Sequence, residues 1–157
     1  MTLRTVATFA VGLFLMTGCA PKARLNVPDG WKVAVAKDDP ESGTIQRIIV
    51  NEKEQVKISV IMAPAKDFPL EETAAATAID LAMKGVAVKI DKIDDQGTTL
   101  ITFTADIPDV GQLTGRMLLK KSSKGDKTVG VIGLWPAAKD AVIGPAFEAI
   151  AASADFK

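Results

Sequence analysis

Histidine and tyrosine are absent from this 157-residue chain, and cysteine occurs once. Without histidine there is no side chain whose ordinary pKa lies near neutrality and no imidazole to ligate a metal. A single cysteine excludes an internal disulfide, so a folded domain must stand on its core. Acid-base and nucleophilic catalysis draw mainly on His, Cys or a Ser beside a positioned base, and the usual sets cannot be assembled here. Nineteen basic residues balance nineteen acidic ones, without the positive excess of a nucleic-acid binder. No apolar run reaches the roughly 20 residues that cross a bilayer.

The apolar run at the start, Val6 to Met16, has eleven residues, with Arg4 before it and Pro21-Lys22-Ala23-Arg24 soon after. A basic n-region and a short h-region make a secretory signal, yet an Ala-x-Ala cleavage site is missing. Instead Leu15-Met16-Thr17-Gly18-Cys19 resembles a bacterial lipobox. That resemblance implies cleavage after Gly18, a diacylglycerol thioether on the Cys19 sulfur and an acyl chain on the new amino group. Each buried methylene contributes about 0.8 kcal/mol, and two chains hold a protein stably on a membrane. Residues 1–18 are then a lipoprotein signal helix, 19–28 the lipidated cysteine and a short tether, and 29–157 one domain. Removing the leader takes away Arg4 and no acid, leaving 18 basic against 19 acidic residues. Among enteric lipoproteins aspartate after the cysteine marks retention at the inner membrane; Ala20 here implies the outer membrane, periplasmic side.

Within the domain, Trp31 to Lys37, Ile45 to Val50 and Val56 to Met62 read as strands joined by turns at 38–43 and 51–54, an antiparallel meander. On this reading Trp31, Val33 and Val35 share one face. A helix follows, with Asp67 as N-cap, Pro69 in its first turn, Glu71 and Glu72 at its positive end, and Lys84-Gly85 at its close. Leu70, Ala74, Ala78, Leu81 and Ala82 make its buried stripe. Four more strands are predicted at 86–91, 98–105, 111–121 and 127–135, the last two joined by a hairpin loop at 122–126. Gly115, Gly130 and Gly133 inside them point to bulges or to close approach of another backbone. After Ala137, Gly144-Pro145 breaks the pattern, predicting a short turn and then a helix from about Pro145 to Ser153. The expected fold is α+β: an antiparallel sheet of six to seven strands flanked by helices.

Three segments carry a family resemblance: Val27-Pro28-Asp29-Gly30-Trp31, Glu71-Glu72, and Ala146-Phe147-Glu148-Ala149-Ile150-Ala151-Ala152-Ser153-Ala154-Asp155-Phe156. They resemble the PsbP/Mog/DcrB-type α-β-α sandwich over nearly the whole domain. The resemblance implies a fold and a binding role, and it carries no catalytic residues over, because the histidine metal sites of some PsbP proteins have no counterpart here.

Lys120, Lys121, Lys124 and Lys127 crowd the predicted hairpin tip and form a basic patch suited to lipid phosphate or an acidic partner. Carboxylates cluster at Asp38, Asp39 and Glu41 and at Asp91, Asp94 and Asp95; oxygen ligands suit hard cations, but neither set has an EF-hand spacing, and acidic turns arise for backbone reasons. Trp31 and Trp135 lie on apolar strands and read as core. The sequence thus points to a membrane-anchored envelope lipoprotein that acts as a non-enzymatic binding or assembly module for another envelope component. No cofactor beyond the acyl groups and no nucleic acid are expected. An envelope hydrolase or metal-dependent enzyme with a carboxylate site, and a small-ligand carrier, are the alternatives.

Overall fold

The computed structural model describes residues 23–92, 94 and 97–156. The expected cleavage and lipidation site at Gly18 and Cys19 lies outside the described residues. In chain order the elements are β1 (Ala23–Arg24), β2 (Lys32–Asp39), β3 (Thr44–Asn51), β4 (Val56–Pro64), α1 (Leu70–Met83), β5 (Ala87–Lys92), β6 (Thr99–Ile107), β7 (Gly111–Lys121), β8 (Lys127–Pro136), a 3-10 turn (Ala137–Lys139), α2 (Asp140–Ser153) and β9 (Asp155–Phe156). Seven strands form one sheet in the order β2-β3-β4-β8-β7-β6-β5, and β1 pairs with β9 in a separate two-stranded ribbon. All pairings are antiparallel. This is the expected α+β sandwich, with a helix on each side of the sheet.

Period-two alternation decides which residues meet which helix. Ile45, Ile49, Ile58, Val60, Met62, Val129, Val131 and Trp135 project from one face of the sheet and are buried with Ile143, Phe147 and Ile150 of α2. From the other face, Ile101, Phe103, Met117 and Leu119 meet Leu70 and Ala74 of α1. The small residues Ala74 and Ala78 let α1 lie close, as its stripe predicts, while Leu81 is half-buried and Ala82 is exposed.

The strand glycines make room for aromatic rings. A Cβ on Gly115 would lie 2.0 Å from the Phe103 ring, and one on Gly133 would lie 2.6 Å from the ring of Trp135. Neither position disturbs the β7–β8 register, so ring packing replaces the predicted bulge or backbone approach. Trp135 is buried and its ring tilts against Phe147, with centroids 5.7 Å apart; Trp31 is half-buried against the same core.

Four local expectations need correction. β2 is an edge strand whose register shifts between Val33 and Val35, so these two residues lie opposite Ile49 and Ile48 on different faces, and both remain exposed. Asp67 does not cap α1; it lies in the turn closed by the Asp67 and Phe68 amides on the Pro64 carbonyl, two residues before the N-cap position Pro69, which makes no side-chain hydrogen bond. α2 runs unbroken through Pro145. A proline there removes one amide donor, and the turn before it is held by Asp140, which bonds Arg116 and Trp135. Gly144 contributes too, since the Arg116 guanidinium stands 3.2 Å from where its Cβ would be. Finally, the stretch assigned to the tether is folded from Ala23 onward: Ala23, Leu25 and Val27 pack on the core, and Ala23 and Arg24 pair with Asp155 and Phe156.

Candidate functional site

The β1–β9 ribbon joins the start of the described chain to its end, Ala23 opposite Phe156 and Arg24 opposite Asp155. It is secured by few groups. Phe156 is buried, the Asn26 amide donates to Ser153 Oγ at 2.9 Å, and the Ser123 amide of the β7–β8 hairpin donates to Asp155 Oδ1 at 3.0 Å. The last contact draws the hairpin loop 122–126 onto the ribbon. That loop is closed by the Ser122 amide donating to Lys127 O at 2.8 Å.

The structure divides the predicted lysine patch. Lys120 turns inward and donates from Nζ to the carbonyls of Ala151 and Ala152 at 2.7 and 3.1 Å, capping the negative end of α2. Burial pushes its pKa below the ordinary lysine value, against the opposing pull of the Asp155 charge. Lys127 lies with its ammonium 4.1 Å from the centroid of the Phe156 ring, a cation–π contact. Lys121 departs to the other face, beside Glu71 and Glu72 at the start of α1. Lys124 is exposed on the loop.

Arg24, within the predicted tether, belongs with this group. Arg24, Asn26, Lys120, Ala149, Ser153 and Asp155 line a cleft of about 390 Å³. Burial pushes the Asp155 carboxyl up, but hydrogen bonds from Ser123 and from the Phe156 amide, with the Lys120 charge, hold it below its ordinary value. The β1–β9 pairing was invisible in the sequence because two-residue strands carry no period.

A second cleft of about 240 Å³ lies between α2 and the sheet, lined by Leu100, Leu118, Phe147 and Ala151 with Arg116 and Glu148 at its rim. Arg116 is occupied: it holds both oxygens of Asp140 at 2.9 and 3.0 Å and Glu148 Oε1 at 2.9 Å.

The carboxylate clusters serve turns. Asp38 pairs with Arg47, which lowers its pKa, and Asp39 accepts from the Glu41 and Ser42 amides and from Ser42 Oγ. Asp94 accepts from the Thr98 amide at 2.9 Å, and Asp91 pairs with Lys89; Asp95 lies outside the described residues. Among the described residues no three His, Cys, Asp or Glu side chains are grouped to hold a metal ion, and no helix is long and apolar enough to cross a membrane.

The sheet itself presents the broadest surface. α1 packs on β5, β6 and β7, and Phe68 lies over Gly130 of β8, while apolar side chains of β2 and of the later part of β8 stay exposed on the same face. There Val35, Ile132 and Leu134 are 42%, 36% and 47% exposed, around half-buried Ile48, Val50 and Ile61.

No family model matches the sequence, and no curated protein matches it. Solved structures do match the fold. LpqN, described as involved in cell envelope biogenesis of Mycobacterium tuberculosis, is similar with a TM-score of 0.54 and 9% identity over 87% of this chain and 84% of that one. The cyanobacterial PsbP protein CyanoP from Synechocystis is similar with a TM-score of 0.51 and 13% identity over 97% of each chain. The domain therefore has a PsbP-like fold.

Proposed function

We propose that this chain is a lipid-anchored protein of the bacterial cell envelope whose domain is a non-enzymatic binding or assembly module for another envelope component. The observation that carries the reading is the part of the sheet beyond α1, where Val35, Ile132 and Leu134 are exposed on the face whose other part α1 packs on. Exposed large apolar side chains brought to one face, interleaved with Lys57 and Ser59, suit an interaction surface with a polar rim. The lipobox-like run ending at Cys19 and the fold shared with LpqN, itself described as involved in cell envelope biogenesis, support an envelope setting, and Ala20 favours the outer membrane over the inner under the enteric sorting rule.

A photoreactive residue at Leu134, introduced in intact cells, is expected to yield a discrete adduct that disappears when Ile132 is changed to Lys. The same probe at Val142, exposed on α2 against the other face of the sheet, should yield none. Equal labelling from both positions, or no adduct at Leu134, would sink the reading. Replacing Cys19 with Ala is expected to leave an uncleaved precursor without acyl label; normal maturation of that variant would remove the anchor.

A further inference from the structure

We propose that the surface built on the β1–β9 ribbon docks against anionic phospholipid headgroups, with Arg24 and Lys124 making the contacts. The proposal rests on the Cys19 anchor and adds to it an orientation of the domain on the bilayer.

The first argument is reach. Ala23 of the ribbon follows Cys19 by four residues, and four residues span at most about 14 Å. An acylated Cys19 therefore holds the ribbon close to the headgroups. Screening confines attraction between charges to roughly 8 Å at physiological salt, so in this fold the surface that a membrane field can act on is the one where the tether enters.

The second argument is charge. Folding brings cations from separate stretches of sequence to this one place: Arg24 from β1, Lys120 from β7, Lys124 and Lys127 from the hairpin. Two acids accompany them, Asp155 and the exposed Asp126. The Asp155 carboxylate is occupied by the Ser123 and Phe156 amides. Lys120 is bound to the α2 carbonyls and Lys127 lies on Phe156, whereas the side chains of Arg24 and Lys124 make no hydrogen bond or ion pair among the described residues. Arg24 also borders the cleft of about 390 Å³, where a phosphate oxygen could meet its guanidinium in the bidentate geometry that arginine favours. Lys22 adds a further positive charge directly before the ribbon in sequence. A basic side chain at an anionic surface strengthens partition about fivefold.

The test uses the full lipidated chain with Ser123→Cys carrying an environment-sensitive dye, since acylation leaves Cys19 without a thiol. It is reconstituted in vesicles of phosphatidylcholine alone or with phosphatidylglycerol at three parts in ten. The expected result is a blue-shifted emission, quenched by nitroxide lipid, in the phosphatidylglycerol vesicles only. Half-molar salt should abolish it, and Lys124→Glu, in a solvent-exposed loop, should weaken it several-fold, as should Arg24→Gln. A dye at Asp106→Cys, on the hairpin at the other end of the sheet, should not respond. Loss of the signal on adding inorganic phosphate at low millimolar concentration would assign the cleft to a free anion and overturn the lipid assignment. The mass of the N-terminal peptide separates the two readings. An unacylated Cys19 overturns the anchor and this proposal with it, whereas an acylated chain with equal signal in both vesicles overturns the docking surface alone.

Discussion

Arg24 stands opposite Asp155 in a ribbon two residues long, the point at which the beginning and the end of the domain are joined. So short a ladder contributes little by its own hydrogen bonds, and its persistence depends on the side chains it brings along. Ala23, Leu25 and Val27 on one side and Phe156 on the other pack into the core beneath α2.

Phe156→Ala is the direct measure of that dependence. Phe156 is 2% exposed, and truncating a buried phenylalanine costs about 3 kcal/mol or more. Urea denaturation should show a loss of that size, and hydrogen exchange should show the ribbon amides opening before the sheet. An unchanged midpoint would mean that the ribbon is a surface ornament.

Arg116 and Asp140 tie α2 to the sheet through two hydrogen bonds between charged groups, shared with Trp135 Nε1. Arg116→Ala should cost about 2 kcal/mol. In a double-mutant cycle the loss with Asp140→Ala should be clearly less than additive, as expected for contacting residues. Additive losses would show that the pair does not couple.

Acid should weaken the ribbon. The Asp155 carboxyl is held below its ordinary value of 3.8, so the stability it contributes is complete above that value and is lost as pH falls through the folded-state pKa. Unfolding midpoints measured from pH 6 down to pH 3 should decline, and Asp155→Asn should make the decline shallower. Asp38 and Asp39, shifted in the same direction, should account for part of the slope that remains. Lys120, whose folded pKa is depressed by burial, acts at the other end of the scale: its contribution is complete above 10.5 and is lost as pH falls through its folded value.

Gly115→Ala should destabilise by about 1–3 kcal/mol through overpacking, because the new Cβ collides with the Phe103 ring. Pairing it with Phe103→Leu should recover part of the loss. A neutral Gly115→Ala variant would contradict the tight seat of that ring.

Much of the fold was legible because its strands are long enough for alternation to show. Val56, Ile58, Val60 and Met62 repeat at period two and all are buried, and α1 shows its small-residue stripe at helical spacing. The misreadings fall where local rules meet a tertiary restraint. Pro145 signals a break, yet Arg116 and Trp135 hold the preceding turn through Asp140. Val33 and Val35 alternate in sequence, yet the register shift in an edge strand separates their faces. Of the candidate site, the four lysines were visible as a run, but their division was not: Lys120 serves α2, Lys121 turns toward α1 and Lys124 stays in solvent.

By itself the sequence determined what is local: an α+β pattern and a chain without histidine or an internal disulfide, since periodicity and composition are properties of neighbouring residues. Only the tertiary structure decided which part of the sheet lies beyond α1, and that Arg24 belongs beside Asp155 and the hairpin lysines. Arg24 and Asp155 are more than a hundred positions apart and Arg24 and the hairpin lysines about a hundred, and the packing that brings them together leaves no period or motif in the chain.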